Sequence, residues 1–143
     1  MSQPIAVAVV HGVGDQDVTF AETIEYNLRS RWNAIMDLER IPEPDIDLII
    51  EPVYWAPAVN LRQKEFMKRL KNSGVMRFWP LRKLIVSAVA GPLVYQPTYK
   101  DRRVYDDVHI LLAQSLKRLA ERAGANAPLC IIGHSMGTVV ASN

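Results

Sequence analysis

The chain has 143 residues, 49% of them hydrophobic and 22% charged, which suffices for one globular domain with a real core. A net charge of +2 singles out no class of partner, and no nucleic-acid-binding module accompanies it, so nucleic acid is not an expected partner. The lone cysteine, Cys130, excludes an intramolecular disulfide, and its apolar setting predicts a buried structural thiol in a reducing compartment.

Met1-Ser2-Gln3-Pro4 has no basic stretch, and the apolar run that follows is too short for a secretion signal. No segment reaches the ~18 apolar residues that suggest a transmembrane helix. A cytoplasmic protein is the default expectation. Ile5 to Val10 is apolar throughout and rich in β-branched residues, which predicts a strand buried on both faces. His11-Gly12-Val13-Gly14-Asp15-Gln16 follows as a loop. A helix is expected from near Thr19, where Thr19 and Glu22 have capping-box spacing. Phe20, Ile24, Leu28 and then Trp32 or Ile35 make its apolar face. Asp15 and Asp17 read as loop or cap residues, and no metal site is expected around them.

Pro42-Glu43-Pro44 ends that helix, and Ile46 to Tyr54 reads as a second strand. Pro57 suits the start of another helix, with a stop at Asn72-Ser73-Gly74. Residues 56–98 read as a helical insertion within one domain spanning 1–143, serving as a lid, as part of the acyl pocket or as core packing. Trp79 with Arg77, Arg82 and Lys83 offers the alternative of an amphipathic contact with a membrane surface. Asp101 to Ala123 carries a strong helical pattern. Its inner stripe is Val104, Val108, Leu111, Leu112, Ser115 and Leu119, Asp106-Asp107 is its solvated first turn, and Gly124 is its C-terminal stop. His109 lies beside the stripe and reads as an ordinary flank residue. Leu129 to Ile132 is a third strand, and a helix is expected from Met136. Strands alternating with helices predict an α/β fold, an open parallel sheet with flanking helices. With the first strand central and the other two on either side, the strand order reverses between the first and third.

Gly133-His134-Ser135-Met136-Gly137 fits the G-x-S-x-G nucleophile elbow, and it sits between a strand and a helix as that motif requires. A sharp turn with strained backbone angles would hold the Ser135 hydroxyl above the sheet edge. Gly133 and Gly137 would let strand and helix approach closely. The helix start would aim the Met136 N–H at a developing oxyanion. His11-Gly12-Val13-Gly14, at the end of the neighbouring strand, is placed to supply a second donor. A plain strand-to-helix turn and a phosphate-binding turn are the other readings of the elbow. The second lacks the P-loop lysine and the full glycine pattern.

Together the two motifs resemble the lipase and esterase branch of the α/β-hydrolase superfamily. The resemblance covers Ile5 to Asn143 apart from Ala56 to Thr98, and it implies Ser135 as nucleophile with the Val13 and Met136 N–H groups as the oxyanion hole. His11, Gly12, Gly14, Gly133, His134 and Gly137 would support the loop and elbow, with His11 ordering its loop by hydrogen bonds rather than moving protons. The implied substrate is a small or lipid-like carboxylic ester, with no cofactor and no metal. Members of that superfamily carry an acid and a histidine after the serine, whereas Met136 to Asn143 contain neither. The expectation is therefore the N-terminal part of a longer serine hydrolase, weakly active by itself. The third strand would be an open edge, covered by the missing C-terminal half or by self-association. The competing expectation is a non-catalytic α/β binding or interaction module that keeps the elbow as a structural turn.

Overall fold

A computed structural model describes residues 4–14, 16–40, 47–59, 68, 95–98 and 101–143. Its elements are β1 (Ile5–Val10), α1 (Glu22–Leu38), β2 (Leu48–Val53), α2 (Arg103–Ala123), β3 (Leu129–Gly133) and α3 (Met136–Ser142). The three strands form one parallel sheet in the order β2-β1-β3, so β1 is central and the order reverses between β1 and β3. The fold is an open parallel α/β sheet with flanking helices.

The unbroken apolar run of β1 follows from burial on both faces. Val7 and Val9 share a cluster with Leu48 and Ile50, against which Phe20, Ile24, Leu28 and Trp32 of the α1 region pack. Ala6, Ala8 and Val10 face the opposite way, into a cluster with Val53, Val104, Val108, Leu119 and Val140. Alternation along one strand thus feeds two helical layers. Pro52 is tolerated within β2 because β2 is an edge of the sheet, where a missing N–H leaves no neighbour unpaired.

Helix α2 buries Val104, Val108, Ser115 and Leu119, with Leu111 and Leu112 packed partly against the same core. It starts at Arg103, two residues after its expected start, because Asp101 accepts the Arg103 N–H at 3.1 Å and so lies outside the helix. Gly124 ends it at φ 91°, where its N–H donates to the Ala120 carbonyl. Glu51 of β2 fastens α2 to the sheet. Its carboxylate is 2.7 Å from Arg118 Nε and 2.9 Å from an Arg122 guanidinium nitrogen.

Two further expectations, the capping box and a buried Cys130, need correcting. The Thr19–Glu22 capping box does not form: the Thr19 N–H and hydroxyl both donate to Asp17 Oδ1, at 2.9 and 2.7 Å, and α1 begins at Glu22 without a side-chain cap. A carboxylate two residues upstream is the stronger acceptor and claims both donors. At the far end of α1, Trp32 packs on the core while Ile35 is exposed. Cys130 is exposed rather than buried, as are Leu129 and Ile131. Strand β3 is the second edge of the sheet, and only Ile132 of its side chains reaches the α1 cluster.

Residues 56–59 are helical, in keeping with a helix opening near Pro57. The proposed stop at Asn72-Ser73-Gly74, the Trp79 segment, Pro42-Glu43-Pro44 and Asp15 lie outside the described residues. Among the described residues no helix is long and apolar enough to cross a membrane.

Candidate functional site

The two motifs meet at the carboxyl end of the sheet. The His134 N–H donates to the Val10 carbonyl at 3.0 Å, which carries the β1–β3 pairing up to the elbow. Gly12 lies directly against it: a Cβ on Gly12 would sit 2.9 Å from both the His134 carbonyl oxygen and Ser135 Cβ. Only a residue without a side chain lets the loop after β1 approach this closely. The same reasoning applies to Gly137, where a Cβ would fall 2.5 Å from the His11 carbonyl oxygen and closer still to that of Val10. The first turn of α3 is thereby pressed onto the end of β1.

Ser135 adopts φ 53°, ψ −123°, a left-handed conformation that a side chain rarely tolerates. The turn is held by the Gly137 N–H donating to the His134 carbonyl at 2.9 Å. The Thr138 N–H and hydroxyl add bonds to the Ser135 carbonyl at 3.0 and 2.6 Å. The backbone is thus committed before the serine side chain does anything. Ser135 is exposed and lines a cavity of about 720 Å³ whose wall also includes Val13, Met136, Val139, Tyr95 and Tyr105. Met136 begins α3, where the first N–H groups of a helix have no intrahelical partner. Among the described residues the hydrogen bonds at Ser135 go to its carbonyl oxygen and not to its hydroxyl.

His11 is buried, and its hydrogen bonds fix its protonation state. Nδ1 lies 2.6 Å from the Gly12 carbonyl, which can only accept, so Nδ1 carries the proton. Nε2 accepts the Trp55 and Ala56 N–H groups at 3.1 and 3.2 Å. The ring is therefore neutral, and burial holds its pKa below the ordinary histidine value. All its polar capacity goes into holding the loop after β1 against the end of β2. Gly14 turns that loop at φ 134°, and the Tyr54 hydroxyl donates to the Gln16 carbonyl at 3.0 Å, tying it to β2 a second time.

His134 projects elsewhere, lining a separate cavity of about 110 Å³ with Phe20, Ile24 and Ile132 on the α1 side of the sheet. His109 is not an uninvolved flank residue. Helix α2 runs antiparallel to the strands, so its first turns return to the carboxyl edge, and His109 Nε2 is 2.9 Å from the hydroxyl of the cavity-lining Tyr95. Burial lowers the His109 pKa, with Asp106 opposing. Sequence reasoning passed over Tyr95, Tyr105 and Trp55. Trp55, just beyond the carboxyl end of β2, carried the one available signal: an aromatic at the sheet edge where sites form. No group of three or more His, Cys, Asp or Glu side chains able to hold a metal lies among the described residues.

No protein-family model, curated protein or solved structure matches the chain.

Proposed function

We propose that this chain is the N-terminal part of an α/β-hydrolase-type serine hydrolase that cleaves carboxylic esters. The observation that carries the reading is Ser135 at φ 53°, exposed between β3 and α3, on the same cavity wall as Val13 and Met136. Residues held at strained backbone angles cluster at functional sites.

In this reading the Ser135 oxygen attacks the acyl carbon while the Val13 and Met136 N–H groups receive the charge that develops on the carbonyl oxygen. A base removes the hydroxyl proton and returns it to the departing alcohol, and water then releases the acid from the acyl-serine. His11 cannot be that base, because its Nε2 already accepts two N–H groups. The reading therefore expects an acid and then a histidine from sequence beyond Asn143, in the order used by α/β-hydrolases. The largely apolar lining of the cavity favours a lipid-like or otherwise apolar ester. A reducing, cytoplasmic setting suits an exposed, unpaired Cys130.

The rival is a non-catalytic α/β interaction module, favoured by one observation: the exposed apolar side chains of Leu129 and Ile131 on the open β3 edge. A fluorophosphonate probe separates the two. Slow labelling of Ser135 in this chain, with fast labelling in a protein extended by the following reading frame, supports the hydrolase. No labelling of either rejects it. Strong labelling of this chain alone means a base is already present and overturns the expectation of a downstream histidine.

A further inference from the structure

Two aromatic rings stand in the wall of the Ser135 cavity. Tyr95 and Tyr105 lie 5.3 Å apart between centroids, tilted at 38°. They differ in what they offer a ligand. Tyr95 is 3% exposed, and its hydroxyl is taken up by His109 Nε2 and the Asn143 amide. Tyr105 is only partly buried and lines the same cavity. Its ring is braced along the helix surface. The His109 ring, one turn further along α2, packs 4.2 Å away between centroids. The Arg102 guanidinium, one turn earlier, lies 5.6 Å over the ring. Tyr95 closes a third side. A ring held by three neighbours loses little freedom when a ligand arrives, so the contact surface is formed in advance.

The rest of the lining decides what that surface suits. Among the described residues around the cavity no side chain is charged, so an ionic group would lose its water without gaining a counter-ion. An aromatic guest differs from an aliphatic one in its charge distribution. Its face is electron-rich and its edge electron-poor, so it can turn the complementary surface to whichever part of the Tyr105 ring borders the cavity. A saturated ring has neither pole. Met136, on the same wall beside Ser135, adds a polarisable thioether, which also makes favourable contacts with aromatic rings. At about 720 Å³ the cavity has room for a phenyl ring together with an ester group at Ser135.

We propose that Tyr105 is a specificity-determining residue that packs against an aromatic ring of the substrate, so that uncharged esters bearing an aryl group are preferred over aliphatic esters of the same size. The ester part of this statement rests on the hydrolase reading, whereas the aromatic subsite rests on the geometry at Tyr105. Benzyl acetate and cyclohexylmethyl acetate test it by NMR titration, following the Ser135 amide and the Tyr105 ring protons, in the wild type, Tyr105→Phe and Tyr105→Leu. A cyclohexyl ring is at least as apolar as phenyl, so burial alone gives the phenyl ester no advantage. The expected result is ~2- to 10-fold tighter binding of benzyl acetate by the wild type, the range of one aromatic pair. Tyr105→Phe keeps the ring and should keep the preference. Tyr105→Leu keeps an apolar side chain without a ring and should abolish it. Nuclear Overhauser contacts between the phenyl and Tyr105 ring protons are expected in the wild type, and they assign the preference to this residue even if Tyr105→Leu does not fold. Equal affinity of the two esters, tighter binding of the cyclohexyl ester, absence of those contacts, or a preference that survives Tyr105→Leu overturns the assignment. The two readings fail separately. Equal binding of the two esters beside fluorophosphonate labelling of Ser135 removes only the aromatic subsite. An intact preference, with Ser135 unlabelled both in this chain and in the extended protein, removes only the hydrolase.

Discussion

The His11 ring stacks on the Trp55 indole with centroids 4.6 Å and planes 11° apart, while the indole N–H donates to the His11 carbonyl at 2.9 Å. With the two N–H groups that converge on His11 Nε2, this contact binds the loop after β1 to the end of β2 from three directions. The loop so held is the one that supplies Val13 to the cavity, so the order of the candidate oxyanion site depends on a histidine that stays neutral.

Protonating His11 would turn its Nε2 acceptor into a donor facing two donors. Burial depresses the folded-state pKa below the ordinary 6.5. A folded value below the unfolded one means that this contribution to stability is complete above the unfolded pKa and is lost as pH falls through the folded value. His109 shifts in the same direction and adds to the same slope. Urea unfolding followed from about pH 7.5 to about pH 5 is expected to show falling stability, and His109→Gln should retain part of the slope. Stability that stays constant in that variant would contradict the role given to His11.

Gly137 tests the packing beneath the elbow. Its absent Cβ is what allows α3 to rest on the Val10 and His11 carbonyl oxygens, and neither backbone group can swing aside as a side-chain tip would. Gly137→Ala is expected to destabilise the chain by at least ~1–3 kcal/mol, the usual scale for overpacking, despite the better helix propensity of alanine. A thermal midpoint equal to that of wild type would show that α3 is free to shift away from β1.

Much of this arrangement was legible in the sequence because it is carried by local patterns. The unbroken run of β1, the stripe of α2 and the glycines around Ser135 each state a local requirement, and a switch point between β1 and β3 followed from strand order. Contacts set by tertiary approach left no such mark. In the sequence nothing near Glu51 announces a cationic partner, and only the docking of α2 supplies Arg118 and Arg122. Cys130 was misjudged because an apolar run signals a strand but not whether both of its faces are covered. His109 reads as an ordinary flank residue in the sequence for a topological reason: its distance from Ser135 along the chain hides the return of α2 to the same edge of the sheet.

The Glu51 clamp predicts an asymmetry. The Glu51 side chain is 10% exposed, while those of Arg118 and Arg122 are 53% and 52% exposed. Either arginine can turn to water when its partner is lost, but the carboxylate cannot. Glu51→Ala is expected to cost about 1–3 kcal/mol, a charged hydrogen-bond loss reduced by the exposure of the arginines. Arg118→Ala or Arg122→Ala alone should cost less, because the other arginine still pairs with Glu51, and removing both should exceed the sum of the two. Urea unfolding of the four variants measures this, and additive arginine effects would mean that the two do not share one carboxylate.

Ser135 offers the sharpest separation of stability from chemistry. At φ 53° and ψ −123° a side chain is strained, by an amount typically ~1–3 kcal/mol, whereas glycine reaches such angles freely. Ser135→Gly is therefore expected to be at least as stable as wild type, since relief of strain offsets the greater freedom of glycine in the unfolded chain. Ser135→Ala keeps the Cβ and should gain nothing. Both substitutions remove the candidate nucleophile and should abolish fluorophosphonate labelling in any extended, active form of the protein. Calorimetry on the three proteins reads the stability order directly. If Ser135→Gly proves clearly less stable than Ser135→Ala, the turn is not strained at this residue, and the observation that supports a nucleophile here is lost.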